Sequence, residues 1–151
     1  MANRSAVAIC LLLGACATAY VPPKEGPIAT LRLAGLVGSK GSTAYYLKED
    51  AESCTGMAVL ANGLKSTDSS TVSVRAGAPV VVEIFYGYWE AKYAASCRTI
   101  LEFTPESGAT YFLELNESYF LVQRACVPTL QKELDEKRTV GVPFRKVCGQ
   151  K

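Results

Sequence analysis

This chain of 151 residues has no histidine, and only one tryptophan and two methionines. Without an imidazole, a Ser-His-Asp triad, a Cys-His pair and a histidine general base are all excluded. None of the six cysteines forms a Cys-x-x-Cys pair, so no metal site is expected. No serine stands three residues before a lysine, which removes the Ser-x-x-Lys signature of penicillin-binding enzymes. The run Gly35-Leu36-Val37-Gly38-Ser39-Lys40-Gly41-Ser42 is glycine-rich but mis-spaced for a phosphate-binding loop; it reads as a link between strands. The formal charge is only +2, too weak to suggest nucleic acid as a partner. Carboxylate pairs such as Glu102 with Glu106, or Glu114 with Glu117, lie where solvated carboxylates are ordinary. No cofactor and no catalytic residue is expected.

Long apolar runs are also missing, with one exception near the amino terminus. Ala6 to Leu13 is continuously apolar and follows a single positive charge, Arg4. Eight residues span about 12 Å as a helix, against the roughly 20 residues that cross a bilayer. The pattern is that of a cleaved secretory signal. Its ending, Leu13-Gly14-Ala15-Cys16, resembles the bacterial lipobox. That resemblance implies that Cys16 is acylated, palmitate being one such chain, and becomes the first mature residue. The rival reading is cleavage after Ala17 in the A-x-A manner of Ala15-Cys16-Ala17, which releases a soluble exported protein. Several acyl chains hold a protein durably where one does not. Ala17 follows the cysteine, where lipoproteins of the inner membrane usually carry aspartate. By the same resemblance the destination is the outer membrane, with the domain facing the periplasm.

Residues 1–15 are therefore assigned to a signal peptide, 16–27 to the acylated cysteine and an extended tether rich in Pro22, Pro23 and Pro27, and 28–151 to one domain. Hydrophobic residues make up 49% of the chain and charged residues 20%, enough for a buried core. Cys10 falls within the signal, which leaves Cys54, Cys97, Cys126 and Cys148. An even number in an exported chain reads as two disulfides. Cys126 and Cys148 are equidistant from Lys137, in the polar run Asp135-Glu136-Lys137-Arg138. A hairpin turning there brings them face to face, so the expected bonds are Cys126–Cys148 and Cys54–Cys97.

From Ile28 onward the hydrophobic period is two. Val80, Val82, Ile84 and Tyr86 form one face opposite Val81, Glu83 and Phe85; Tyr111, Leu113 and Leu115 oppose Phe112 and Glu114. Strands are expected near 28–36, 43–48, 56–61, 70–76, 79–88, 97–104, 109–115, 118–126 and 139–147. The fold class is all-β: an antiparallel immunoglobulin-like or prealbumin-like sandwich of about 7–9 strands. Leu130 and Leu134 are four apart, so 128–137 is read either as one short helix or as a strand arm.

The stretch from Ser96 to Tyr111 reads Cys97-Arg98-Thr99-Ile100-Leu101-Glu102-Phe103-Thr104-Pro105-Glu106-Ser107-Gly108-Ala109-Thr110-Tyr111 after its serine. This Cys…Phe-x-Pro-Glu-x-Gly-x-x-Tyr pattern resembles small uncharacterised bacterial envelope lipoproteins. The resemblance covers about half the mature chain through turn motifs, implies a sandwich, and implies no activity. Phe103, Tyr111 and Leu113 are expected in the core, with the Tyr111 hydroxyl turned back on turn carbonyls. Phe85, Tyr86, Tyr88, Trp89 and Tyr93 crowd around Gly87, with Tyr45 and Tyr46 upstream. Tyr88, Trp89 and Tyr93 are placed in a loop after Gly87 as candidate recognition residues, since Tyr and Trp combine area with a polar tip. The expected role is a non-catalytic accessory or protein-binding envelope lipoprotein. The alternatives are a glycan-binding module that uses the aromatic loop, or a small periplasmic inhibitor or stress protein.

Overall fold

The computed structural model describes residues 17–90, 93–120, 123–135 and 138–149; for residues 90, 93, 117–120 and 123–125 the description is limited to the backbone. The expected signal (1–15) and Cys16 lie outside the described residues. The chain forms a two-layer sandwich, with no helix among the described residues. Its strands are β1 (Thr18–Ala19), β2 (Ile28–Ala34), β3 (Ser42–Lys48), β4 (Ala58–Leu64), β5 (Ser69–Arg75), β6 (Val80–Glu90), β7 (Tyr93–Phe103), β8 (Thr110–Phe120), β9 (Gln123–Asp135), β10 (Arg138–Gly141) and β11 (Arg145–Lys146). One sheet has the order β1-β4-β3-β6-β7-β11 and the other β10-β9-β8-β2-β5.

Both sheets are mixed, where an antiparallel sandwich was expected. β1 runs parallel to β4, and β2 parallel to β8. Two very short strands, β1 and β11, raise the count beyond the seven to nine expected. The period-two reading otherwise holds. Ala29, Leu31 and Leu33 of β2 face Val82, Ile84 and Tyr86 of β6, with Tyr111, Leu113 and Leu115 of β8 in the same buried cluster. Tyr45 crosses this core: its hydroxyl donates to the Ala34 carbonyl at 2.6 Å and reaches the Leu113 carbonyl at 3.2 Å. Burial pushes its hydroxyl well above the usual tyrosine range, so it remains a donor.

Of the stretch 128–137 read as helix or strand arm, residues 128–135 are strand; 136 and 137 lie outside the described residues. β9 runs unbroken through Pro128 and Leu130 to Asp135, and β10 pairs antiparallel with it from Arg138. Pro128 pairs with Leu115 of β8 on one side, and on the other β10 covers β9 only from Gln131 onward, so that side demands no donor there. The Leu130 and Leu134 spacing misleads because the strand outruns the sandwich: Leu130 is buried while Leu134 is exposed.

The topology defines two poles. β3 and β6 pair from Lys48–Val81 at the lower end to Ser42–Gly87 at the upper end. Beyond Gly87, β6 keeps only β7, down to the Glu90–Tyr93 pair. β2 likewise leaves β8 at Leu113, and β8 continues with β9 alone to Phe120–Gln123. The molecule therefore extends at its upper pole as two two-stranded ribbons, one from each sheet. At the lower pole, Tyr111 closes the turn after β7. Its hydroxyl accepts the Glu106 N–H at 2.9 Å, rather than donating to a carbonyl as expected. Gly108 supplies the positive φ of +75° that the turn requires.

Within the segment expected as a tether, 16–27, the residues from Thr18 to Tyr20 are docked on the sandwich. Thr18 donates to the Met57 carbonyl at 2.9 Å and Tyr20 to that of Val59 at 3.4 Å. The Tyr20 hydroxyl donates to the Ser73 carbonyl at 2.9 Å. Its ring packs on the core, closing the side of the sandwich between β4 and β5.

Candidate recognition face and its disulfide frame

All four cysteines among the described residues are in disulfides, but not in the expected pairs. Cys54 bonds to Cys148, and Cys97 to Cys126. The hairpin premise fails at Val142-Pro143-Phe144. After β10 the chain leaves the sheet of β9 and crosses to the other layer, where Arg145 and Lys146 pair with Glu102 and Leu101 of β7. Cys148 thus reaches the 49–57 loop instead of Cys126. Cys126, freed from that arm, meets Cys97 across the layers. That bond ties the base of the β6–β7 ribbon to the middle of the β8–β9 ribbon, on the side of the sandwich where β7 lies over β9.

The aromatic residues expected in one loop stand in strands. Tyr88 and Trp89 continue β6 past Gly87, so their side chains leave on opposite faces. Tyr88 packs against the core, whereas Trp89 is 70% exposed on the outer face. Tyr93 opens β7 opposite Glu90, and its side chain lies outside the described residues. The trio is therefore not a single patch. Tyr86, on the inward face, is buried.

Gly87 sets the pose of Trp89. A Cβ on Gly87 would stand 2.5 and 2.7 Å from two atoms of the indole, and 3.1 Å from Phe85. The indole therefore lies back across the glycine towards Phe85, because no side chain there holds it off. Arg98 and Ser96 on β7 are the cross-strand partners of Phe85 and Gly87. The outer face thus brings together Phe85, Trp89, Arg98 and Ser96.

Below this patch the same face is charged. Glu83 is 6% exposed and Lys48 8%. The Lys48 ammonium lies 2.8 Å from Glu83 Oε2. The Arg98 guanidinium donates from Nε to Oε1 at 2.6 Å and from its terminal nitrogen to Oε2 at 3.1 Å. Burial alone would raise the Glu83 carboxyl. The hydrogen bonds and charges of Arg98 and Lys48 outweigh it and hold the group below the ordinary glutamate range. The Glu83 bond raises Arg98 in turn.

The triad is buried on an outer face because a second small cluster covers the sheet beside it. Val81, Ile100 and Val147 pack there with Ala51 and Cys148. The 49–57 loop is itself tightened by Asp50, which accepts the backbone N–H groups of Glu52 at 3.1 Å and Ser53 at 2.7 Å. Hydrogen bonds from Ser53 hold the Asp50 carboxyl below its usual range. Sequence reasoning missed the triad. Its one legible trace was Glu83 within a run of valines and isoleucine.

The carboxylate pairs are committed elsewhere or out of reach. Glu102 accepts from Arg145 at 2.9 and 3.0 Å, and Glu106 pairs with Lys132. The Glu117 side chain lies outside the described residues. No group of three or more His, Cys, Asp or Glu side chains that could hold a metal occurs among the described residues.

No family model, curated protein or solved structure matches the chain.

Proposed function

We propose that this chain is a lipoprotein of the bacterial envelope, held at the outer membrane by acyl chains on Cys16. In this reading it has no catalytic role and serves as an accessory that binds a partner protein through the β6–β7 ribbon. The observation that carries the reading is Trp89. A large apolar ring stands 70% exposed on a ribbon that has lost its sheet neighbours, and a disulfide fixes the base of that ribbon. Tryptophan is over-represented among the few residues that dominate binding energy at interfaces. The sheet partners of the ribbon stop short of its tip: β3 pairs β6 only as far as Gly87, and β11 pairs β7 at Leu101 and Glu102, with the Val147 N–H reaching the Ile100 carbonyl. An extended segment of a partner can pair with such an edge. The missing histidine and the paired carboxylates argue in the same direction, away from hydrolytic chemistry.

The test is co-purification from detergent-solubilised envelopes, comparing the wild-type protein with Trp89→Ala. A specific partner should be retained by the first and lost by the second, with no change in urea midpoint. Equal retention by both would remove Trp89 from the interface.

A second reading, glycan binding, draws on the pose of the indole. A flat ring beside Phe85, with Ser96 and Arg98 across the strand, offers a stacking surface next to polar groups. As the only tryptophan, Trp89 reports directly: envelope oligosaccharides should change its emission if this reading holds.

A further inference from the structure

β1 begins at Thr18, and its N–H is bonded to Met57 at the lower pole. One residue, Ala17, separates it from Cys16. Consecutive Cα atoms are about 3.8 Å apart, so the covalent chain from position 16 to backbone fixed on the sandwich is at most roughly 8 Å long. A spacer of the length suggested by the proline-rich segment does not exist on that side. The prolines come after β1, between the docked strand and β2.

We infer that the lower pole, built from β1, the ends of the 49–57 loop where it joins β3 and β4, and the 105–108 turn, is held against the headgroup surface of the bilayer carrying the Cys16 acyl chains. Both ribbons then point away from it. This rests on acylation of Cys16. β1 lies parallel to β4, whose Ala58 end pairs with Leu47 of β3 at the lower pole. β6 leaves that pole at Val80 and carries Trp89 nine residues further on. At roughly 3.3 Å per residue the indole stands about 30 Å from the membrane-facing end. β8 runs in the same direction as β2, from Thr110 at the lower pole, so the second ribbon points the same way. Tyr20 and the β1–β4 pairing resist rotation about the anchor. The partner of the ribbons is accordingly met at a distance from the lipid, not at its surface.

The single tryptophan allows a direct test on the full acylated protein in phosphatidylcholine vesicles that carry a dansyl-headgroup lipid. Trp89 should transfer little excitation to the dansyl groups. In a Trp89→Phe, Glu52→Trp protein, the indole sits on the exposed 49–57 loop and should transfer several-fold more. A flexible Gly-Ser spacer inserted after Ala17 should abolish that difference. Equal transfer from the two positions, in protein that floats with the vesicles, overturns the orientation and leaves the lipid anchor standing. Failure to float, together with an unmodified Cys16 by mass, overturns both.

Discussion

Trp89 lies on Gly87, and the glycine is what lets it do so. A methyl group at position 87 would meet the indole at 2.5 Å. The clash is with the far part of a side chain that has open solvent above it, so the ring should swing rather than the strand break. Gly87→Ala is therefore expected to change stability by less than about 0.5 kcal/mol. Acrylamide quenching of the single tryptophan should rise markedly. Unchanged quenching would mean the indole does not rest on the strand.

Trp89→Ala should also be nearly neutral for folding, again within about 0.5 kcal/mol, as befits an exposed position. Ile84→Ala, two strand positions inward of Tyr86 and fully buried, should cost about 2–5 kcal/mol through lost burial and a cavity. Urea titration of the two variants compares them directly. Equal midpoint drops would make Trp89 a structural plug.

The Lys48–Glu83–Arg98 cluster predicts a pH dependence. Glu83 titrates lower in the folded protein than in the unfolded chain, where its value is about 4.3. Its contribution is whole above that value and is lost as the pH falls through the lowered one. Glu83→Gln should flatten the acid limb of the stability curve. At neutral pH it should cost about 3–5 kcal/mol, because Lys48 is left buried beside a neutral amide. Arg98 is half exposed, and its replacement by methionine should cost nearer 1 kcal/mol. Parallel acid limbs for wild type and Glu83→Gln would contradict the assignment.

Cys54 and Cys148 both hold left-handed backbone, with φ of 55° and 65°. Their bond closes 94 residues and that of Cys97–Cys126 closes 29, worth roughly 4.7 and 3.6 kcal/mol by chain entropy. Left-handed geometry costs a side-chain-bearing residue roughly 1–2 kcal/mol, which glycine does not incur. Removing the first bond as Cys54→Gly with Cys148→Gly should thus destabilise less than Cys54→Ala with Cys148→Ala. The reverse order in urea melts would show that the backbone relaxes once the bond is gone.

Thr99 offers a gain instead. Its hydroxyl is buried on β7 opposite Ile84 and has no hydrogen-bond partner among the described residues. Thr99→Val keeps the shape and removes the desolvated group, and should raise stability by about 1 kcal/mol. A loss of stability would show that the hydroxyl is satisfied.

The strands were legible wherever one face was buried. The alternation from Val80 to Tyr86 placed every inward residue correctly, because a one-residue slip would have put Glu83 in the core. The ribbons were harder. Gly87 reads as a strand end, yet it continues the strand and makes room for an indole. The disulfide pairing was out of reach because it depends on where the chain changes layers, at Pro143, and no local pattern marks that crossing. The ion triad draws on three different strands, so Lys48 and Arg98 looked like ordinary surface charges and only Glu83, in its apolar run, left a trace.

The crossing of the last strand also dictates an order of assembly. The two bonds are nested: the Cys97–Cys126 link sits wholly inside the span of Cys54–Cys148. A chain that emerges amino-terminus first presents Cys54 and Cys97 long before Cys148, so the earliest partner available to each is the wrong one. The outer bond waits for Cys148, which follows Cys126 in the chain. Correct pairing in this chain is therefore a matter of deferral, in which Cys54 must stay reduced, or be released from a mismatched partner, until Cys148 arrives.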